Sequence, residues 1–246
     1  MPYNKEFFDD LALGAETSAE VFVPIVYEKL KPKSVLDVGC GTGSWLKIWS
    51  KYDVSIFGID GNWVKKDLLC IPENNFKYVN LEEEINLNKK FDLVVSLEVA
   101  EHIHKESASQ FVKSLVNHGD KVLFSAAIPW QGGTDHFNEQ WPTYWIELFL
   151  KEGYEFLDPF RHLIWNEEDI KDHYRQNTLL FVKKDLITGD SFLEKEREYS
   201  RRSLVSVVHP NKFVKARDPF HRSLKYELPI FFKLFTNFLR NLIKLK

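Results

Sequence analysis

Val35-Leu36-Asp37-Val38-Gly39-Cys40-Gly41-Thr42-Gly43 is a short apolar run that closes on three alternating glycines. Lacking a Cβ, Gly39, Gly41 and Gly43 let the chain turn sharply at the carboxyl end of a strand and open a helix near Ser44, with backbone left uncovered for a ligand. The fingerprint that brings a pyrophosphate onto a helix N-terminus is spaced G-x-G-x-x-G, whereas here the spacing is G-x-G-x-G. Asp37 stands just before the turn, and an acid there suits a cationic amino-acid ligand better than a pyrophosphate. On their own the glycines also fit a plain strand-to-helix turn. A second site removes much of that ambiguity: Phe57-Gly58-Ile59-Asp60 ends the next apolar strand and sets a carboxylate where it can accept both hydroxyls of a ribose. Asp60 alone, followed by Gly61 and Asn62, would read as a turn acid.

Outward from these sites the pattern alternates. Residues 16–30 read as an amphipathic helix, and strands are expected near 33–38, 54–59, 76–79, 91–97, 119–125, 154–158 and 178–184. Helical segments near 44–51, 62–69, 98–117 and 141–152 separate them, which makes an α/β sheet with helices on both faces. With the two strand-end sites, the stretch from about Lys33 to Lys184 resembles the class I S-adenosylmethionine-dependent methyltransferases. The resemblance implies a Rossmann-like, seven-stranded, mostly parallel sheet whose last strand is inserted antiparallel at the edge. It implies that Asp37, Gly39, Gly41 and Gly43 flank the methionine part of S-adenosylmethionine and that Asp60 holds the ribose. The third strand ends in Asn80-Leu81, where the family often has an acid facing the adenine amine. Asn80 departs from that pattern, although its amide oxygen can still accept from the amine.

The chain has 246 residues, enough for one sizeable core, and 44% hydrophobic with 15% aromatic content marks a globular protein. The expected division is a methyltransferase domain over 1–184 and a charged linker with an amphipathic helical extension over 185–246. Cys40 and Cys70 are too few for a disulfide framework, and the N-terminus lacks the basic and apolar regions of a signal peptide, so a reducing cytosol is expected. No apolar run approaches the ~20 residues of a membrane-spanning helix. A net charge of −3 conceals an asymmetry: from His209 onward the chain carries +7, leaving −10 on the first 208 residues. A catalytic region that acidic argues against nucleic acid as the substrate, since phosphate binding requires neutralising Lys and Arg.

Past the fourth strand comes Ser96-Leu97-Glu98-Val99-Ala100-Glu101-His102-Ile103-His104. A helix starting near Glu98 would put Glu98, Glu101 and His102 on one face by their i, i+3, i+4 spacing, beside the ligand crevice. After the fifth strand, Gly132-Gly133-Thr134-Asp135-His136-Phe137-Asn138-Glu139-Gln140-Trp141-Pro142 offers His136 from the neighbouring strand end. The ExxEH arrangement resembles the metal site of small-RNA terminal 2′-O-methyltransferases and of ubiquinone-pathway O-methyltransferases. By that resemblance Glu98, Glu101, His102 and His136 hold a divalent ion, Mg²⁺ or another, that chelates the acceptor oxygens. Without an ion, Glu98 and Glu101 are favourable first-turn acids, and a histidine, His136, His104 or His102, is the base.

Trp130, Trp141, Trp145 and Trp165 surround this region. Helical spacing with Leu148 and Phe149 assigns Trp145 to the core, whereas Trp130, in a loop with Pro and Gly, is the candidate for acceptor contact. The stretch from Leu97 through Trp141, with Ile164-Trp165-Asn166 and Gln176 to Val182, is similar to bacterial methyltransferases of surface-polysaccharide biosynthesis. That resemblance implies a hydroxyl of a sugar nucleotide or glycan precursor as the acceptor; a quinone-like phenol or other small metabolite is the alternative, and a catalytically silent S-adenosylmethionine-binding subunit a third. In 229–246, Phe231, Leu234, Phe235, Phe238, Leu239, Leu242 and Leu245 form a helical stripe beside Lys233, Arg240 and Lys244. Such a helix docks on the protein or a second copy, or lies on an anionic membrane.

Overall fold

Seven short runs rich in Val, Leu, Ile and Phe become strands: β1 (Ser34–Val38), β2 (Ser55–Asp60), β3 (Phe76–Tyr78), β4 (Leu93–Leu97), β5 (Lys121–Ser125), β6 (Tyr154–Leu157) and β7 (Leu179–Lys183). The computed structural model describes the backbone of residues 5–217 and the side chains of 14–214. One sheet contains all seven strands in the order β3-β2-β1-β4-β5-β7-β6. β1 pairs parallel with β2 and β4, β2 with β3 and β4 with β5, while β7 runs antiparallel to β5 and β6. The expected mostly parallel sheet with an inserted antiparallel strand is therefore what forms.

Period-two alternation divides the strand side chains between two cores. Leu93, Val95 and Leu97 of β4 join Phe22, Val26, Leu46 and Trp49 from α1 (Lys5–Leu30) and α2 (Ser44–Trp49). Val94 points the other way, into a cluster with Phe111 and Leu115 of α3 (Ala108–His118) and Trp145 and Phe149 of α4 (Pro142–Lys151). Each such buried side chain contributes about 1.5–3 kcal/mol relative to exposure, so the layering follows from the apolar pattern. Trp145, 2% exposed, belongs to the core as its spacing requires.

One expected helix is absent. Residues 62–69 form turns and a single 3₁₀ turn at Lys66–Leu68. Lys65, Lys66 and Asp67 are exposed and only Val64 is buried, so a helix there would have no apolar stripe to pack. Before β7, where no helix was expected, two short ones form: α5 (Arg161–Ile164) and α6 (Asp172–Asn177).

Residues 1–207 and 208–246 are two compact units. In the first, the chain past Lys184 forms α7 (Ser191–Ser200), capped by the Asp190 carboxylate, which accepts from the N–H groups of Phe192 and Leu193. Ile187 and Leu193 are buried in the core. The buried Arg161 guanidinium pairs with Asp158 and donates to the carbonyls of Gln176, Leu204 and Val205, tying this segment down. The described part of the second unit carries α8 (Pro210–Arg217); the amphipathic stretch 229–246 lies outside the described residues. No helix among the described residues is long and apolar enough to cross a membrane.

From β1 the chain first winds outward through β2 and β3, then returns to lay β4 on β1's other side. The crevice of an open α/β sheet forms at such a reversal, outside the carboxyl ends of the strands. Gly39 follows β1 there, and Glu98 follows β4.

Candidate active site

The glycine turn is held by its own backbone: the N–H groups of Gly39 and Cys40 donate to the Ile59 carbonyl at 2.8 and 3.2 Å, and Gly43 N donates to Cys40 O at 2.9 Å. Gly39 has φ +84°, and a Cβ there would stand 2.4 Å from Val99 Cγ2. Gly41, at φ +55°, would place a Cβ in open space, whereas one on Gly43, at φ +86°, would stand 3.0 Å from Ile71 Cγ1, so of the three glycines only Gly41 is uncovered. Gly39→Ala should therefore cost about 1–3 kcal/mol of stability, from backbone strain and overpacking, read as a lower urea midpoint at unchanged m-value.

Two buried acids adjoin this turn. Asp60 Oδ2 accepts from Gly41 N at 2.7 Å and Oδ1 from Gly61 N at 2.6 Å, with the Trp63 side chain as a third donor. Burial outweighs those donors and pushes its carboxyl up to about 6. Asp37 is pushed up to about 8, chiefly by burial and further by the charge of Asp60. Two buried carboxyls held this far above their usual range would gain from a cation beside them. A carboxylate also offers four acceptor sites, so Asp60 keeps capacity for hydroxyls beyond its backbone donors.

On the other side of the crevice, Glu101, His102 and His136 bring one ligand atom each within 4.8 Å of one another. They meet by a route different from the expected helix. Glu98 leaves β4 at φ +57°, a left-handed conformation, so Glu98 itself lies outside any right-handed helix. A 3₁₀ turn follows at Ala100–His102. The Glu101 carbonyl then accepts from Phe137 N and Asn138 N, both at 2.9 Å, so it is engaged by the β5–α4 loop and α3 starts only at Ala108. The Glu101 side chain is 1% exposed, and its Oε2 has no hydrogen-bond partner. Burial, with the charge of Glu98 behind it, holds this carboxyl well above the usual range. Burial and the nearby His136 push His102 down. The two rings lie edge to face, 4.8 Å apart at 88°.

Glu98 is not part of this cluster. Its Oε2 accepts from Gln131 Nε2 at 2.6 Å and its Oε1 from Asn177 Nδ2 at 3.0 Å, which draw the carboxylate toward α6. His104 is also apart: its N–H and its Nδ1 meet Glu82 Oε1, and its ring stacks on Phe137. Asn80 donates to Glu83 Oε1 and accepts from Glu82 N, which anchors its amide in the local turn after β3 and leaves one N–H and one lone pair over. Leu81 packs against the core. Trp130 is 88% exposed with φ +70°, and Phe137 and Trp141 of the same loop are also exposed.

Residues that belong to no sequence motif adjoin these groups. Trp63 reaches Asp60, three residues on, with no pattern to mark it. Gln131 and Asn177 hold Glu98 from elements far apart in the chain. Glu139 could have been noticed, since it stands i+3 from His136 in the same loop.

A family model described as a methyltransferase domain matches residues 18–173, more than half of the chain. A ubiquinone biosynthesis O-methyltransferase of Rickettsia canadensis is 32% identical over 97 residues, covering 37% of this chain and 40% of that protein. Its namesake from Coxiella burnetii is 26% identical over 112 residues, covering 39% and 44%. These matches therefore span less than half the length of the curated relatives. Among solved structures, Streptomyces venezuelae DesVI aligns with a TM-score of 0.52 at 15% identity, over 73% of this chain and 98% of that one, a likeness of fold.

Proposed function

We propose, since the chain belongs to the methyltransferase-domain family, that it is a cytosolic enzyme transferring the methyl group of S-adenosylmethionine to a hydroxyl oxygen. The observation that carries the reading is the pair of buried acids at adjacent strand ends around an open glycine turn. In this reading Asp37 faces the amino-acid end of the donor, Gly41 leaves its backbone open to it, and Asp60 accepts the ribose hydroxyls. S-adenosylmethionine supplies a methyl already activated by the sulfonium. The protein's work is then to hold the acceptor oxygen in line and to take its proton.

Glu101, His102 and His136 are suited to that work. One carboxylate and two imidazoles fit a divalent ion, and the partnerless Oε2 of Glu101 is the kind of buried atom an ion would satisfy. When bound, the ion would orient the acceptor oxygens and lower their pKa. Without it, His102 or His136 is the base. For the acceptor we favour a sugar nucleotide or glycan precursor, supported by the exposed Trp130, whose backbone N–H donates to the Glu139 carboxylate that also faces His136. A quinone-like phenol or other small metabolite is the second reading, favoured by the names of the curated relatives.

Calorimetry with S-adenosylhomocysteine at pH 6, 7 and 8 tests the donor site. Burial, with the charge of Asp60 behind it, pushes the Asp37 carboxyl up to about 8, and facing an ammonium requires the ionised form. Affinity should rise with pH, by up to roughly tenfold per unit, and flatten near 8. A folded sample that binds neither S-adenosylhomocysteine nor S-adenosylmethionine would refute the reading; pH-independent binding would remove Asp37 from the amino-acid end.

A further inference from the structure

The loop joining β5 to α4 closes on a single carboxylate. Glu139 Oε2 accepts from Trp130 N at 2.8 Å, and Oε1 accepts from Gly132 N at 2.7 Å. The same Oε1 lies 2.9 Å from His136 Nδ1.

We infer that Glu139 is a positioning residue that fixes His136 with its hydrogen on Nδ1, leaving Nε2 as the nitrogen that takes a cation or a proton at the acceptor. The inference deepens the proposed methyl transfer and rests on it. An ionised carboxylate only accepts, so the imidazole nitrogen facing it must be the donor, and the other nitrogen of a neutral ring is then an acceptor. His102 is set in the same sense by a second acceptor-only group: its Nδ1 lies 3.1 Å from the Asp135 carbonyl. Two neighbouring imidazoles are thus given one orientation by partners in one loop, and that loop also binds the Glu101 carbonyl through Phe137 and Asn138. The backbone makes room for the His136 ring, because a Cβ on Gly133 would stand 2.2 Å from its Nε2. Glu139 touches no reacting atom; it acts through His136.

Nitrogen-15 NMR of labelled histidine at neutral pH, with His136 identified from His136→Gln, tests the inference, and Mn²⁺ titration and S-adenosylhomocysteine affinity are measured on the same samples. In the unaltered protein His136 should carry its hydrogen on Nδ1. Glu139→Ala should make the Nε2–H form the major one and weaken Mn²⁺ about 10–100-fold, with S-adenosylhomocysteine affinity within about twofold. Glu139→Gln, whose carbonyl oxygen can still accept from Nδ1, should keep the Nδ1–H form. An Nε2–H ring in the unaltered protein overturns the inference even if Glu139→Ala does not fold. So does a Glu139→Ala protein that keeps the original tautomer. If Mn²⁺ binds to none of the proteins while the tautomer follows residue 139, the inference stands and the metal part of the proposed function falls. Failure to bind S-adenosylhomocysteine in the unaltered protein would instead count against the donor site.

Discussion

Asp60→Ala should weaken binding of both S-adenosylmethionine and S-adenosylhomocysteine by about 100-fold or more. A hydrogen bond to a charged group contributes roughly 1.5–3 kcal/mol, and the loss of two to the ribose sets that scale. The substitution also leaves the N–H groups of Gly41 and Gly61 without their acceptor, which loosens the glycine turn after β1. Asp60→Asn, which keeps one acceptor oxygen, should fall between the two. Calorimetry gives the affinities, and thermal denaturation without ligand checks that the fold survives. An Asp60→Ala protein that binds S-adenosylhomocysteine as tightly as the original would take Asp60 out of the ribose site.

Glu101→Gln and His102→Ala should have the opposite signature, lowering kcat by roughly 10²–10³-fold while leaving S-adenosylhomocysteine affinity within about threefold. The physical reason is separation: the glycine turn and Asp60 belong to β1 and β2, whereas the acid and imidazoles come from the ends of β4 and β5. Glu101→Gln is the cleaner variant, because it conserves volume and an acceptor for the Ala127 N–H that the buried carboxyl meets. Equal losses in donor affinity and turnover would mean that the cluster supports the pocket as a whole. Chelation should reproduce the loss in turnover, and Mn²⁺ should restore it, if an ion is held there.

The central strands were legible because β1, β4, β5 and β7 are short, largely apolar runs that the sheet buries on both faces, so local composition and tertiary need agree. Asp37 and Asp60 were legible for a related reason, since strand ends place their side chains and the glycines announce the turn. The stretch after β4 was not. Its ExxEH spacing reads as a helix face, yet Glu98 takes a left-handed backbone and the Glu101 carbonyl is claimed by Phe137 and Asn138. A partner more than thirty residues away leaves no mark on local periodicity. Glu101, His102 and His136 still converge, because the strand ends bring them there whatever the turn between them does. Glu98 does not, because Gln131 and Asn177 draw its carboxylate aside, and α6, which carries Asn177, was too short to show a helical pattern.

Transfer of labelled methyl is the most direct test of the central claim, that this crevice moves a methyl group from S-adenosylmethionine to an oxygen. The protein, incubated with methyl-labelled S-adenosylmethionine and the small-molecule fraction of a bacterial extract, should place label in a base-stable ether. His102→Ala, which keeps the donor site, should transfer almost none. A protein that binds S-adenosylmethionine but passes its methyl to no acceptor would contradict the account and leave a silent binding subunit in its place.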